Sequence, residues 1–446
     1  MTGIYLIGAF ILSGLLFFNR NRIFNYLLII VFLVLQVCFT VYEYMHINTI
    51  ELHYFSADAL GVLLLITLSI ISIPAVYHSY VYLSKNKENP RHRAIYFSAI
   101  VVLLTAISAA YLANNIAVTW IFVELTTLSA SALIYHRRNN RSLEGTWKYA
   151  FVGAISITLV FIGILFLSFT MQQAGTDDLS FAALIRKAPE LNLFWLRLAF
   201  IFIFTGFTFK LGLVPMYTAG IDAKDKAPSP AGALLSSVLI NAGFVGIFRL
   251  YTVIANSPIQ SWANHVILIA AILSVFVATV YMTKVKNIKR MFAYSSIEHM
   301  GIVMLGIAAG GVGYYAAILH IILHAFVKSS LFFQMGQIYR IYKSKSIYDV
   351  GNYFKYNPTG SIVVLLGFFF ATAMPPSGLF ISEFMIFRSL FEANYLPVLI
   401  LIMILLTMII WAFGKNIFKL LFSPPVDFKE DDIERINPAE SISQFI

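Results

Sequence analysis

Thirteen apolar runs follow one another through this chain with only short polar loops between them, and that succession leaves few folds open. They fall at about 3–18, 23–44, 57–83, 94–113, 115–135, 146–170, 194–218, 228–252, 263–284, 290–309, 313–340, 359–390 and 395–421. Most are long enough to cross a hydrocarbon layer as helices, which takes about 20 residues. Backbone inside a bilayer must satisfy its own hydrogen bonds, so such runs become helices rather than open strands. Composition agrees: 59% hydrophobic and 12% charged residues, with a mean hydropathy of +0.81, lie far from soluble globular domains. No polar linker divides the runs, so residues 1–446 read as a single transmembrane domain. The first run does not read as a cleaved signal peptide, because Arg20 and Arg22 follow it and no small-residue cleavage site appears.

Loop charges give an orientation. One alternate set of loops holds Arg20 and Arg22; Lys85, Lys87, Arg91 and Arg93; Arg137, Arg138 and Arg141; Lys224 and Lys226; Lys284, Lys286, Lys289 and Arg290; and Arg340, Lys343, Lys345 and Lys355. The other set carries almost none, apart from Arg186 and Lys187 in a longer loop that also holds Asp177, Asp178 and Glu190. Lys and Arg concentrate on the cytoplasmic side, so the first set is expected there and the N-terminus outside. A missed or invented helix would scramble this alternation downstream. The net charge of +10 is therefore loop charge and not a nucleic-acid surface, since it forms no basic domain and no aromatic-interleaved patch. The single cysteine, Cys38, excludes an intrachain disulfide and a cysteine-ligated iron–sulfur cluster.

The run Gly313–Arg340 carries His320, His324 and Lys328 about its middle. Their i, i+4, i+8 spacing puts them along one helix face over roughly 12 Å of axis. A charge near the bilayer centre costs about 3 kcal/mol even on the gentlest insertion scale, so these groups face a protein interior or a hydrated cavity. Further ionisable residues inside apolar runs are Glu124 in WIFVELTTLSA, Lys210, Glu298 and His299 in AYSSIEHMG, and Glu383. Given the orientation, Lys210 falls toward the cytoplasmic side, Glu124, His324 and Lys328 near the middle, and Glu383 toward the outside. Carboxylate, ammonium and imidazole groups joined by water are what proton relay requires. Lysine suits this where a movable carboxylate changes how readily it holds its proton.

Structural readings stand beside these. Glu124 and Lys210 can form a static intramembrane ion pair. His299 can be a hydrogen-bonded residue between helices, and Glu298, on a different face, can meet a neighbouring subunit. His320 and His324 have the HxxxH spacing that chelates zinc from one helix, but no third ligand accompanies them, so no metal is expected. There is no Walker loop, dinucleotide fingerprint, CxxC or nucleophile elbow. Neither a cofactor nor a redox centre of the chain's own is expected.

An internal repeat is also visible. The seventh run contains GFTFKLGLVP, with Lys210 and Pro215; the twelfth contains AMPPSGLFISEF, with Pro375, Pro376 and then Glu383. Both are Pro- and Gly-interrupted spans bearing one ionisable group, five helices apart. An odd offset makes the copies run in opposite directions, as in transporters whose broken helices line the path.

Several motifs in order resemble a known family: VELTTLSASALIY (123–135), GFTFKLGLVPMY (206–217), DAKDKAPSPAGALLSS (222–237), KNIKRMFAYSSIEHMG (286–301), HIILHAFVKSSLFF (320–333) and MPPSGLFISEF (374–384). They are similar to the antiporter-like, proton-conducting membrane subunits of respiratory complex I, Mrp cation/proton antiporters and group 4 hydrogenases. The resemblance spans roughly residues 55–421. SSIEHMG together with LLSSVLINAGFVGIFRL is most similar to the F subunit of hydrogenase-4 and formate hydrogenlyase-type complexes. It implies an all-α polytopic membrane protein of about 13–14 transmembrane helices, with two inverted five-helix repeats and broken helices seven and twelve. The expected layout is N-terminal helices in 1–90, a first repeat in 91–255, a second in 256–421 and a polar tail in 422–446.

By the same resemblance the relay residues are Glu124, Lys210, His320, His324, Lys328 and Glu383; Asn241, Glu298 and His299 are read beside them as either relay or structural. Asn241 stands where many complex I members have a lysine in helix eight, Lys224 stands near an expected histidine, and Asn287 replaces an aspartate. The implied function is proton translocation in a redox-driven complex I-like assembly, specifically a membrane-bound [NiFe] hydrogenase of a prokaryotic inner membrane. The implied partners are sister antiporter-like subunits, a quinone- or hydrogenase-type redox module and the lipid bilayer. The alternatives are a Mrp-type sodium/proton antiporter subunit, a complex I antiporter-like subunit, or a scaffold with a closed channel.

Overall fold

The computed structural model describes residues 1–86, 88–425 and 433–445. Lys87 of the charged loops, and residues 426–432 and 446 of the expected tail, lie outside the described residues. The helices in chain order are α1 (Thr2–Phe18), α2 (Arg22–Met45), α3 (Ala59–Lys85), α4 (Pro90–Leu112), α5 (Ile116–Ile134), α6 (Asn140–Gln173), α7 (Phe181–Lys187), α8 (Leu193–Leu211), α9 (Thr218–Lys226) and α10 (Ser229–Ser236). They continue as α11 (Val238–Ala255), α12 (Gln260–Lys284), α13 (Ile288–Ala309), α14 (Val312–Tyr342), α15 (Tyr353–Tyr356), α16 (Pro358–Ala371), α17 (Gly378–Glu392), α18 (Leu396–Phe422) and α19 (Pro438–Ile442). A two-residue hairpin, Ile50–Glu51 against Phe55–Ser56, precedes α3.

The protein is all-α and polytopic. Among the described residues eleven helical stretches are long and apolar enough to cross a membrane, and the shorter Thr2–Phe18 and Pro358–Ala371 are apolar as well. Every apolar run of the sequence is helical here. Short loops start many of these helices with asparagine, whose side chain accepts a hydrogen bond from a first-turn N–H: Asn21, Asn115, Asn139, Asn192 and Asn287 all do so. Such a cap contributes about 1 kcal/mol and lets a span begin without a long linker.

Three of the runs are split. The seventh leaves α8 at Leu211, passes Pro215 and resumes as α9; the twelfth leaves α16 at Ala371, passes Pro375 and Pro376, and resumes as α17 under a Ser377 cap. Proline supplies no N–H and cannot continue a helix, so these two breaks are readable in the sequence. The third, at Ser237 between α10 and α11, has no proline or glycine to announce it. One expectation is corrected: Lys224 and Lys226 belong to α9 rather than to a loop, and Lys224 is buried. Hydropathy failed there because TAGIDAKDK is polar even though it is helical.

The chain forms two compact units. The first comprises 1–227 and 238–265. In it α4 packs on α1, α3, α5 and α11, and α8 lies against α6 and α11. Buried Arg249 ties this unit together: it donates to both Asp58 carboxylate oxygens at 2.9 and 3.0 Å, to the Tyr111 carbonyl at 2.6 Å and to the Ala113 carbonyl. Asp58 in turn caps α3 through the Gly61 N–H at 2.8 Å. One guanidinium thus satisfies the carbonyls at the end of α4 and holds the start of α3.

The second unit comprises 228–237 and 266–446. Its centre is α13, buried along nearly its whole length, with α14 packed on α13, α10, α16 and α17. Near the end of the chain, Ser441 donates to Gln337 at 2.8 Å, Ser330 donates to the Gln444 carbonyl at 2.6 Å, and Arg340 pairs with Glu440.

Candidate functional site: two buried polar clusters

In the first unit the cluster forms where α8 ends. Lys210 lies in the last turn of α8, where the free carbonyls favour a cation. It is buried. Its ammonium donates to the Tyr149 hydroxyl at 3.3 Å and lies 5.4 Å from the centre of each of the Tyr149 and Phe209 rings. Aromatic faces stabilise a desolvated cation, so these rings hold the lysine in place of water. Glu124 on α5, half-buried, accepts from the Thr127 hydroxyl at 3.1 Å. It makes no ion pair with Lys210 within 4 Å; the lysine's close partner is the Tyr149 phenol.

The approach of α11 to this lysine depends on Gly243. A Cβ there would stand 2.5 Å from the Leu211 nitrogen and 2.8 Å from the Lys210 Cβ. Asn241, one half-turn earlier, is fully buried beside the Tyr111 phenol, which itself donates to the Val238 carbonyl at 2.6 Å. Asn241 brings one neutral donor and acceptor, not a charge, to this part of the unit.

The second cluster is denser. The α13–α14 hairpin closes tightly at Gly313, where a Cβ would sit 2.3 Å from the Gly306 carbonyl oxygen. That closeness lays the middle of α13 on the titratable face of α14. His299 Nδ1 and His320 Nε2 are 3.0 Å apart, and His320 Nδ1 is 3.0 Å from Ser382 Oγ on α17. The His299 ring is also 5.1 Å, centre to centre, from both the His320 and the His324 ring. Lys328 donates to the Ser295 hydroxyl on α13. All of these side chains are buried. Among the described residues no three His, Cys, Asp or Glu side chains are placed to hold a metal ion together.

Glu298 and Glu383 are neighbours of another kind. Both line a cavity of about 240 Å³ bounded by the end of α16 and by α17 and α18, with Thr372 and Thr407 as its other hydroxyl groups. Glu298 is 3% exposed and Glu383 7%. One Glu298 oxygen has no hydrogen-bond partner and lies 3.8 Å from His299 Nε2.

Residues 113–410 match the family model described as "NADH:quinone oxidoreductase/Mrp antiporter, TM". The chain belongs to this family. It is 30% identical over 376 residues to the hydrogenase-4 component F homolog of Methylacidiphilum infernorum (isolate V4), covering 82% of this chain and 78% of that one. A chain of the membrane-bound sulfane sulfur reductase, an archaeal respiratory membrane complex, shares the fold with a TM-score of 0.87 at 19% identity, over 99% of this chain and 90% of that one. A chain of the Mrp complex from Dietzia sp. DQ12-45-1b does so with a TM-score of 0.85 at 15% identity, over 97% of this chain and 81% of that one. The protein is thus an antiporter-like subunit of the complex I, group 4 hydrogenase and Mrp type, and its relatives are subunits of multi-subunit membrane complexes.

In this antiporter-like subunit the candidates divide cleanly between the units. Glu124, Lys210 and Asn241 lie in the first; Glu298, His299, His320, His324, Lys328 and Glu383 lie in the second. His299, read from sequence as relay or structural, stands between His320 and His324. Tyr149, Ser295 and Ser382 were not singled out by the sequence. Hydroxyls in membrane helices are common, and only the packing of α6 on α8 and of α14 on α13 and α17 separates these three from the rest.

Proposed function

We propose that this antiporter-like subunit translocates protons within a redox-driven complex I-like assembly, specifically a membrane-bound [NiFe] hydrogenase of a prokaryotic inner membrane. The observation that carries this reading is the buried His299–His320 hydrogen bond, with Lys328 one and two turns further along α14 from His324 and His320. An imidazole pair can take a proton on one ring while releasing another from the second, and burying such groups without that use is costly. The relatedness to a hydrogenase-4 component F homolog supports the hydrogenase assignment. Loop charge supports an N-terminus outside and a positive cytoplasmic side. Sister antiporter-like subunits and a quinone- or hydrogenase-type redox module are the expected partners. Glu124 and Lys210 act in the first inverted repeat, residues 91–255, and His320, His324, Lys328 and Glu383 in the second, residues 256–421.

A sodium/proton antiporter subunit is the second reading, and the two carboxylates with two threonine hydroxyls around one cavity are what favours it. The two separate in one experiment. The intact complex is purified from its native membrane, its partners are identified, and proton uptake into proteoliposomes is followed with and without sodium. Copurifying hydrogenase subunits and sodium-independent uptake driven by hydrogen or an electron acceptor are expected. Copurifying small antiporter subunits with sodium-dependent exchange would replace the first reading by the second.

A further inference from the structure

We propose that Glu298 is the proton-exchanging mouth of the buried imidazole pair, connecting His299 and His320 to the α17–α18 cavity. The inference deepens the proton-translocation reading and rests on it.

Hydrogen-bond partners set the direction of the chain. The Ser382 hydroxyl donates to the Leu379 carbonyl at 2.9 Å, so toward His320 it accepts, and His320 carries its proton on Nδ1. His320 Nε2 then accepts from His299 Nδ1–H at 3.0 Å. What remains is His299 Nε2, to which nothing in the protein closes a hydrogen bond, although the Ala371 backbone carbonyl is turned toward the His299 ring. The nearest acid to it is Glu298, whose unpartnered oxygen is 3.8 Å away. That gap exceeds hydrogen-bond length and is closed by a rotation of the carboxyl or by one water. The same carboxyl lines the cavity that holds Glu383. The cavity's wall also includes Phe384 and Met403, 60% and 53% exposed, on the flank of α17 and α18.

The transfer balances as a simple proton shift. A protonated Glu298 gives its proton to His299 Nε2, and His299 passes its Nδ1 proton to His320 Nε2. Glu298 is left as carboxylate, His299 neutral with its proton on the other nitrogen, and His320 an imidazolium. The reverse sequence returns the proton to the cavity, where Glu298 and Glu383 exchange it through water. The route leaves α14 sideways through α13, which explains why a carboxyl and an imidazole are adjacent on a buried helix.

The test uses the intact complex in proteoliposomes, comparing protons moved per electron for Glu298→Gln, Glu298→Asp and His320→Ala, with assembly checked on native gels. Glu298→Gln keeps the shape and removes the titrating acid; Glu298→Asp keeps the acid beside a cavity with room for water. Loss of this subunit's share of the ratio in Glu298→Gln, substantial recovery in Glu298→Asp and the same loss in His320→Ala are expected. Wild-type pumping in Glu298→Gln with loss in His320→Ala overturns the role of Glu298 and leaves the relay intact. Equal loss in both Glu298 variants marks a structural carboxyl and overturns it too. Wild-type pumping in His320→Ala overturns the relay itself, and with it this inference.

Discussion

Replacing Lys328 by methionine is expected to slow proton translocation through this subunit about a hundredfold, the effect of adding roughly 3 kcal/mol to one step of the path. Lys328 is fully buried on α14, and its ammonium donates to Ser295. Methionine fills nearly the same length without charge, so packing is preserved. Ser295 loses one partner but keeps the Phe292 carbonyl at 3.3 Å as an acceptor. A site that can no longer take up a proton interrupts the column between Lys328 and His324. Acidification of proteoliposomes, set against the electrons consumed, measures the loss directly. Native-gel mobility should stay that of the wild type.

Replacing Lys210 by arginine is expected to lower pumping at least about tenfold while leaving the complex assembled. Arginine keeps the positive charge, and its planar group sits well over aromatic rings, so the contacts with Tyr149 and Phe209 survive. What it gives up is the ability to release a proton. The substitution therefore separates a lysine that titrates from one that merely places charge at the end of α8. Retained pumping in the arginine variant would assign Lys210 the second role. The choice of partner sharpens the point: Lys210 meets a neutral phenol at 3.3 Å, not a carboxylate that would fix its proton.

Much of this arrangement is legible in the sequence because bilayer solvation makes hydropathy nearly decisive. The apolar runs gave the helices, and Pro215, Pro375 and Pro376 gave two of the breaks, since proline acts locally. The break at Ser237 is not legible in the sequence because nothing in its own residues forbids a helix. The helix Thr218–Lys226 is not legible either, because it is polar, and hydropathy cannot tell a polar helix from a loop. Among the site residues, His320, His324 and Lys328 declare themselves by spacing along a single helix. His299 does not, because its importance depends on how closely α13 meets α14, and that is set by the absence of a side chain at Gly313. Tyr149 and Ser382 are ordinary membrane-helix residues until α6 packs on α8 and α14 on α17. Proximity between helices is a tertiary property, and a lone hydroxyl carries no trace of it.

The most direct test of proton translocation by this subunit is the number of protons moved per electron by the intact complex in proteoliposomes, wild type against the Lys328→Met, Glu383→Gln double variant. Both substitutions preserve shape and remove titratable groups, so redox turnover and assembly should persist. The expected result is turnover with the ratio reduced by at least the share this subunit contributes, and with no sodium requirement in the wild type. An unchanged ratio in the double variant would contradict the relay and leave the subunit a scaffold.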